Sequence, residues 1–134
     1  MRILVMDDDY RVWMSGIEFL KLFGHDVIYC QTTDEAVSEF ESEPFDVVFL
    51  DVDIAPGDYF SKKTHNEDRY VGLIVARHFR EVEAKISRKP AKMFFYTNWD
   101  DNTAISIASI ELNMKYLEKP INLDSLEAIT NGQL

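Results

Sequence analysis

Short apolar runs alternate with segments of helical spacing along most of the chain. Five runs are too short for helices and rich in β-branched and aromatic residues, and they predict strands over residues 3–6, 26–30, 46–50, 92–96 and 115–118. Apolar residues three and four positions apart predict helices over 10–23, from Thr32 to before Pro44, from Tyr70 to before Pro90, from Asp100 or Asp101 to Asn113, and from about Leu123. Because helix-sized connections require parallel pairing, this alternation predicts an open, doubly wound α/β sheet of five parallel strands with helices on both faces.

Local signals mark several of the helix boundaries. Gly24 follows the first helical segment, where a glycine commonly ends a helix. Thr32, with Glu35 three positions later, forms the pattern of a capping box, in which two side chains satisfy backbone N–H groups at a helix start. Asp8 and Asp9 precede the first helix, and capping it is an ordinary role for either of them.

The periodic pattern stops after Asp53. Residues 55–58 include proline and glycine and have turn chemistry, and residues 61–69 are polar without periodicity. The sequence therefore predicts an extended loop at about 54–69, which is longer than most connections in compact domains.

Composition and charge limit the class of protein. The chain has 134 residues and a formal net charge of −10, which suits a single domain over residues 1–134. All of the excess negative charge lies in residues 1–67 and there is no basic stripe, so we expect no direct binding of nucleic acid. No apolar run approaches the ~20 residues of a membrane span, the N-terminus is not a secretory signal, and the lone Cys30 allows no internal disulfide. We therefore expect a cytoplasmic protein without membrane contact.

Polar side chains stand at the ends of four predicted strands. Asp7 and Asp8 follow the first strand, Asp51 the third, Thr97 the fourth and Lys119 the fifth. Ligands of open α/β sheets bind beyond the carboxyl ends of the strands, where these side chains are expected to meet.

Carboxylates gathered at one such edge need a counter-charge. Two of them about 4 Å apart repel by roughly 4 kcal/mol at an effective dielectric near 20, so the cluster must take up protons or bind a cation. A few carboxylate oxygens suit Mg²⁺, which keeps waters and accepts phosphate oxygens as further ligands. Asp51 is then placed as a nucleophile toward phosphorus, and Thr97 and Lys119 can bind the phosphoryl oxygens.

Each of these residues also has an ordinary structural explanation. Thr97 alone is typical of a strand-end hydroxyl, and Lys119 alone is typical of solvated surface. The three histidines lack the spacing of metal ligands, and the two tryptophans, Trp13 and Trp99, are interpreted as packing residues. Only the joint placement at four strand ends points to a site.

The motifs ILVMDDD, VVFLDVD, FFYTN and KYLEKP together resemble the receiver domains of two-component response regulators, and the resemblance covers nearly the whole chain. It implies a flavodoxin-like sheet of strand order 2-1-3-4-5. It also implies that Asp51 is the phosphoacceptor, which takes a phosphoryl group from a sensor histidine kinase or a phosphotransfer protein. By the resemblance the protein is a signalling domain, not an enzyme in the usual sense.

The resemblance assigns further roles at the site. Asp7 and Asp8 would form the acidic pocket for Mg²⁺, with Asp8 and Asp51 as direct ligands and Asp53 contributing its backbone carbonyl. Lys119 would pair with the phosphate, and the bond from Lys119 to Pro120 would be cis. Thr97 would hydrogen-bond the phosphoryl group, with Tyr116 swinging inward behind it as a switch.

Two features depart from typical receivers. The extended loop at about 54–69 lies beside Asp51, where it either gates access of the phosphodonor or is an insertion without a role. Asn98 replaces the small residue that normally follows the threonine, and its bulk would narrow the phosphate site.

The fourth predicted helix suggests a partner surface. At about 100° per residue, Ala104, Ile105, Ala108 and Leu112 share one stripe, and Ile110 lies nearly opposite it. We expect Ile110 to be exposed, and we expect the face of this helix, the fifth strand and the last helix to contact an output partner or a second copy of the chain.

The main alternative is an enzyme. FLDVDIA also resembles the nucleophile motif of haloacid dehalogenase-type phosphatases, in which Asp51 would be phosphorylated and Asp53 would act as general acid and base. That family places its nucleophile on the first strand and its acidic pair last, whereas here Asp7 and Asp8 come first. A receiver-like fold that binds FMN or only proteins is disfavoured, because all the residues needed for phosphorylation are present.

Overall fold

A computed structural model describes residues 1–60, 70–97 and 103–134. The elements in these ranges are β1 (Arg2–Met6), α1 (Tyr10–Leu22), β2 (Asp26–Cys30), α2 (Thr33–Ser42), β3 (Val47–Asp51), α3 (Gly57–Phe60), α4 (Val71–Lys85), β4 (Lys92–Thr97), α5 (Thr103–Glu111), β5 (Lys115–Glu118) and α6 (Leu123–Thr130). Each predicted strand is confirmed to within one residue at either end. The predicted cap at Asp100 or Asp101 lies outside the described residues.

The five strands form one parallel sheet of order β2-β1-β3-β4-β5, as predicted. The order reverses between β1 and β3, whose last residues are brought side by side by the pairing of Met6 with Leu50. On its other side β3 pairs with β4, so that Asp51 lies beside Tyr96. Because all the strands are parallel, their carboxyl ends share one edge of the sheet.

Helices cover both faces of the sheet, also as predicted. On one face α1 and α6 pack on the sheet around Trp13, Leu20 and Leu126. On the other face α2, α3, α4 and α5 pack around a larger core that includes Phe40 and Phe79, whose rings stack 4.0 Å apart. The central strand β3 is buried along its whole length, as expected for a strand covered on both faces.

The start and end of α1 follow from local chemistry. Asp9 has extended backbone angles and its side chain accepts a hydrogen bond from the N–H of Arg11, so it is the cap that the sequence suggested. Gly24 follows the helix at φ +85°, a left-handed conformation that glycine adopts without strain.

Helix α2 begins with half of the predicted capping box. The Thr32 hydroxyl oxygen accepts a hydrogen bond from the N–H of Glu35 at 3.2 Å. The Glu35 carboxylate accepts its hydrogen bond from the N–H of Gln31, one residue before the position that the pattern predicts.

The described part of the predicted loop at about 54–69 includes a helical turn where the sequence indicates turn chemistry. Its described part contains the short helix α3, whose first N–H groups, from Asp58 and Tyr59, donate to the Asp34 carboxylate at 2.9 and 3.0 Å. The Thr33 hydroxyl donates to the carbonyl of Pro56 at 2.6 Å, and Phe60 is buried in the core. Contacts with α2 therefore stabilise a turn-like sequence as a helix. Residues 61–69 lie outside the described residues.

Helix α5 agrees with the predicted stripe except at its start. Ile105 and Ala108 are buried, Leu112 is half-buried, and Ile110 is 83% exposed. Ala104 was predicted to share the buried stripe but is exposed, because it lies in the first turn of the helix beyond the edge of the core.

The described helices are short. The longest of them, α4, has 15 residues. Within the described parts of the chain, no helix has both the length and the apolar character that a membrane crossing requires.

Candidate functional site

The carboxyl edge of the sheet holds a cavity of about 490 Å³. It is lined by Asp7, Asp8, Asp9, Val12, Asp51, Asp53, Thr97, Lys119 and Pro120. The sheet therefore brings together every predicted site residue except Tyr116, which is not among the described residues that line this cavity.

Asp51 is the central carboxylate of the site. It is the last residue of β3 and is only 2% exposed. Its Oδ1 atom accepts hydrogen bonds from the Lys119 ammonium at 3.1 Å and from the backbone N–H of Asp53 at 3.2 Å. The phosphoacceptor candidate thus contacts the predicted lysine directly.

Asp7 is fully buried and is bound from several directions. Its Oδ1 atom accepts the backbone N–H of Asp9 at 2.9 Å, and its Oδ2 atom accepts the indole N–H of Trp13 at 3.1 Å. The Lys119 ammonium lies 3.8 Å from the same Oδ2 atom, so one lysine bridges Asp7 and Asp51.

Burial makes both carboxyl groups hard to ionise. Desolvation, followed by the negative charge of Asp7, raises the pKa of Asp51 to about 7, against the opposing effect of Lys119. Desolvation likewise raises the pKa of Asp7, opposed by the N–H of Asp9 and by Lys119. One ammonium group does not fully compensate two buried carboxylates, and a cation would stabilise their ionised forms.

The donor set of the cavity fits Mg²⁺. Carboxylate oxygens of Asp7, Asp8 and Asp51 lie within 4.8 Å of one another, and Asp8 is exposed to solvent. Oxygens on opposite sides of Mg²⁺ are about 4.2 Å apart, so small side-chain rotations would bring this set to ligand spacing. Asp53 lines the same cavity, and the role of its backbone carbonyl as a ligand stays a prediction.

Lys119 is held in place by its backbone and by an aromatic ring. Its N–H donates to the carbonyl of Thr97 at 2.9 Å, and the peptide bond to Pro120 is cis, as predicted. The ammonium lies 5.0 Å from the ring centre of Tyr96, a cation–π contact. The Tyr96 hydroxyl in turn accepts the N–H of Ile121 at 3.0 Å.

Three aromatic residues support the site and were missed in the sequence. Trp13 was interpreted as packing, and it does pack, but its N–H also binds Asp7. The Tyr29 hydroxyl donates to the backbone carbonyl of Asp7, and Tyr96 lies under Lys119. The available signal was position: Trp13 lies one turn into the helix that directly follows the acidic residues.

The start of α4 lies directly against the backbone of Asp51 and Val52. The N–H of Gly72 donates to the carbonyl of Val52 at 3.1 Å. A Cβ atom at this position would lie 2.3 Å from the carbonyl oxygen of Asp51 and 2.7 Å from the Cα of Val52, so the approach requires glycine.

The predicted switch residue, Tyr116, does not line this cavity. Tyr116 is on the edge strand β5 with 42% of its surface exposed, and its inward movement stays a prediction. Asn98 and Trp99 lie outside the described residues.

Comparisons with known proteins identify the architecture. No protein-family model matches the chain, and no curated protein is similar to it at a significant level. Solved structures do match over nearly all of it. A response regulator receiver domain protein from Methanospirillum hungatei has a TM-score of 0.75 at 22% identity, covering 98% of this chain and 92% of its own. The fold is that of a response-regulator receiver domain.

Two further structures extend the comparison. A two-component response regulator from Clostridium difficile has a TM-score of 0.76 at 21% identity, covering 99% of this chain and 94% of its own. A response regulator protein from Burkholderia pseudomallei has a TM-score of 0.71 at 20% identity, covering 95% of this chain and 64% of its own; it contains a phosphorylated aspartic acid, a calcium ion and citrate. The similarity to receiver folds thus extends over nearly all of this chain.

Proposed function

We propose that this chain is the phosphoacceptor domain of a two-component signalling system. Asp51 takes a phosphoryl group from a sensor histidine kinase or a phosphotransfer protein in a Mg²⁺-dependent reaction. The observation that carries the proposal is the contact between buried Asp51 and Lys119, in one cavity with Asp7 and Asp8, at the carboxyl edge of a receiver fold.

The proposed reaction is a single phosphoryl transfer. A carboxylate oxygen of Asp51 attacks the phosphorus of a phosphohistidine, and the new O–P bond forms as the P–N bond breaks. The imidazole leaves with the electron pair of the P–N bond and takes up a proton, and Asp51 is left as an acyl phosphate. Because phosphoryl transfer depends mainly on positioning and charge stabilisation, fixed charges around Asp51 are the chief requirement.

The acidic residues have distinct parts in this proposal. Mg²⁺ bound by Asp8, Asp51 and the backbone carbonyl of Asp53, beside Asp7, would keep Asp51 ionised and neutralise the phosphoryl oxygens. Asp7, buried and already hydrogen-bonded on both oxygens, supplies charge next to the cation.

Lys119 and Thr97 act on the other side of the phosphoryl group. In the unphosphorylated chain Lys119 donates to Asp51, and on phosphorylation its ammonium pairs with a phosphoryl oxygen. Thr97 is buried at the end of β4 and lines the cavity, where its hydroxyl can donate to the same group. Movement of Thr97 would open space for Tyr116 behind it and change the exposed surface of β5.

The surface that would respond consists of α5, β5 and α6. Its exposed apolar side chains are Ile107, Ile110, Tyr116 and Leu123. Tyr116 belongs both to this surface and to the proposed switch, so phosphorylation would alter the surface presented to an output partner or a second copy.

The proposal is tested with a small acyl phosphate as phosphodonor. The chain is incubated with the donor and Mg²⁺, and its intact mass is measured. We expect one added phosphoryl group in the wild-type chain, none in Asp51→Asn, and much less in the wild-type chain when a chelator replaces Mg²⁺. An unchanged wild-type mass would contradict the proposal.

A turnover assay distinguishes the proposed receiver from the phosphatase alternative. A receiver takes up phosphate in proportion to protein, whereas a phosphatase releases many phosphates per chain from a phosphomonoester. Sustained turnover that Asp53→Asn abolishes would favour the phosphatase and overturn the signalling assignment.

A further inference from the structure

The side chain of Trp13 combines a core role with a polar contact at the site. It is fully buried between α1 and the sheet. A buried tryptophan needs an acceptor for its one N–H group. Here the acceptor is Oδ2 of Asp7, at 3.1 Å, in the predicted metal site.

The orientation of Asp7 is fixed from both sides. Its Oδ1 atom is held by the N–H of Asp9 at 2.9 Å, and its Oδ2 atom by Trp13. The backbone N–H comes from the cap residue of α1 and the indole N–H from the first turns of the same helix. The carboxylate plane is therefore set by the start of α1, and rotation of the carboxylate would leave the buried N–H of Trp13 unpaired.

The indole ring is itself held rigidly. Its centre lies 5.1 Å from the ring centre of Phe49 and 5.0 Å from that of Tyr96. Phe49 lies on β3 two residues before Asp51, and Tyr96 supports the ammonium of Lys119. One aromatic cluster thus connects the supports of Asp7, Asp51 and Lys119.

We propose that Trp13 is a positioning residue of the metal site. Its N–H holds the Asp7 carboxylate in a fixed orientation beside the cation, so that Asp8 and Asp51 can act as the direct ligands. This inference rests on the proposed function, and it adds a residue whose type the acidic motif does not predict.

The variant Trp13→Phe removes the N–H group and keeps an aromatic ring for packing. Without this donor the buried carboxylate of Asp7 is less well oriented. Loss of such supporting hydrogen bonds typically weakens metal binding by 10- to 100-fold, and we expect the Kd for Mg²⁺ to rise by about 10-fold.

Ile17→Val is the matched control. Ile17 lies on the same helix and in the same buried cluster, but it has no polar contact with the site. This variant is expected to unfold more easily and to bind Mg²⁺ as the wild-type chain does. Calorimetric titration of each folded protein with Mg²⁺ gives the Kd values.

A spectroscopic measurement on a variant that keeps Trp13 makes the inference testable even if Trp13→Phe fails to fold. The chain has two tryptophans. In Trp99→Phe the single remaining indole N–H signal in a ¹H–¹⁵N spectrum belongs to Trp13. We expect this signal to shift on addition of Mg²⁺, with the same midpoint as the calorimetric titration.

The outcomes separate this inference from the proposed function. If the wild-type chain binds Mg²⁺ but Trp13→Phe binds it equally well, or if the Trp13 signal does not move, the positioning role is wrong and the metal site stands. If the wild-type chain binds no Mg²⁺, the metal site itself is overturned, and this inference with it.

Discussion

Burial of Asp51 beside Asp7 makes the free energy of unfolding depend on pH. The folded chain raises the pKa of Asp51 to about 7, whereas an unfolded aspartate has a pKa near 3.9. Between these values the folded state binds more protons than the unfolded state, so stability falls as the pH rises from about 4 to 7. The metal-free chain is thus destabilised at neutral pH by the charge that its site needs.

The variant Asp51→Asn removes this charge and keeps a similar shape. At pH 8 without metal we expect it to be more stable than the wild-type chain by up to about 4 kcal/mol, because the folded and unfolded pKa values differ by about three and each pKa unit corresponds to about 1.4 kcal/mol. Near pH 3.5, where Asp51 is mostly protonated in both the folded and the unfolded chain, we expect the two to be nearly equally stable. Thermal unfolding in the presence of a chelator measures both differences.

The gain in stability on addition of Mg²⁺ is a second measurement on the same two proteins. A ligand that binds only the folded chain raises its stability, and the wild-type chain should gain more from Mg²⁺ at pH 8 than Asp51→Asn does. If Asp51→Asn were no more stable than the wild-type chain at pH 8 without metal, the unfavourable burial of Asp51 would be disproved.

At the level of single residues, the sequence predicted the charged residues of the site but not the aromatic residues that contact them. Asp7, Asp51 and Lys119 could be found because each directly follows a buried strand. Trp13 could not be assigned to Asp7, because the side of α1 that faces the carboxyl edge depends on how the whole helix packs. Tyr96 has the sequence context of an ordinary strand residue. Its contact with Lys119 depends on the turn after β5, which the sequence pattern does not define.

The first turn of α4 contacts the end of β3 at Asp51, the proposed phosphoacceptor. Gly72 allows the first turn of α4 to lie against the carbonyl of Asp51. We expect Gly72→Ala to lower the free energy of unfolding by about 1 to 3 kcal/mol, as overpacking against backbone typically does. We also expect it to slow the phosphorylation of Asp51 by displacing the end of β3. Urea unfolding and the rate of mass gain with an acyl phosphate measure these two effects.

Gly16→Ala is the control within another helix. A Cβ atom there would lie 3.1 Å from the Cδ1 atom of Leu126, the end of a flexible side chain, so the neighbour can move. Alanine also favours the helical conformation over glycine by roughly 0.5 to 1 kcal/mol. We expect this variant to be near neutral in both measurements, and equal effects at positions 16 and 72 would contradict the close-approach argument.

Among the elements, strands were easier to predict than the connection after β3. The strands are continuous apolar runs with acidic or polar ends, a pattern that a short window contains in full. Helix α3 has only four residues and owes its stability to the Asp34 carboxylate and the Thr33 hydroxyl of α2. Such a helix has no periodicity of its own, so tertiary contacts decide it.

For the molecule as a whole, the exposed face of α5, β5 and α6 is the candidate contact surface. Ile110, near the end of α5, is 83% exposed. If this face binds a second copy after phosphorylation, Ile110→Asp should abolish the phosphorylation-dependent increase in mass by sedimentation and leave the phosphorylation of Asp51 unchanged. Leu22→Asp is the matched control, because Leu22 is 84% exposed at the end of α1, a helix that is not one of the three elements of this face. Self-association that survives Ile110→Asp would exclude this face as the dimer contact.

The structure also shows how the net charge of −10 is distributed over the molecule. Most acidic side chains lie on solvated helices and loops, and those of Asp7, Asp8 and Asp51 converge within 4.8 Å at the site. The fold as a whole could be predicted from alternation and strand ends, because parallel pairing leaves few arrangements for five strands with helical crossovers.

The central claim, that Asp51 accepts the phosphoryl group, is tested most directly by locating that group. After reaction with a phosphohistidine donor or an acyl phosphate in the presence of Mg²⁺, the chain is treated with borohydride, which reduces an acyl phosphate to an alcohol. Peptide mass spectrometry then identifies the altered residue. We predict homoserine at position 51 and unmodified aspartate at positions 7, 8 and 53. Reduction at another aspartate, or none in a chain that has gained phosphate, would contradict the account.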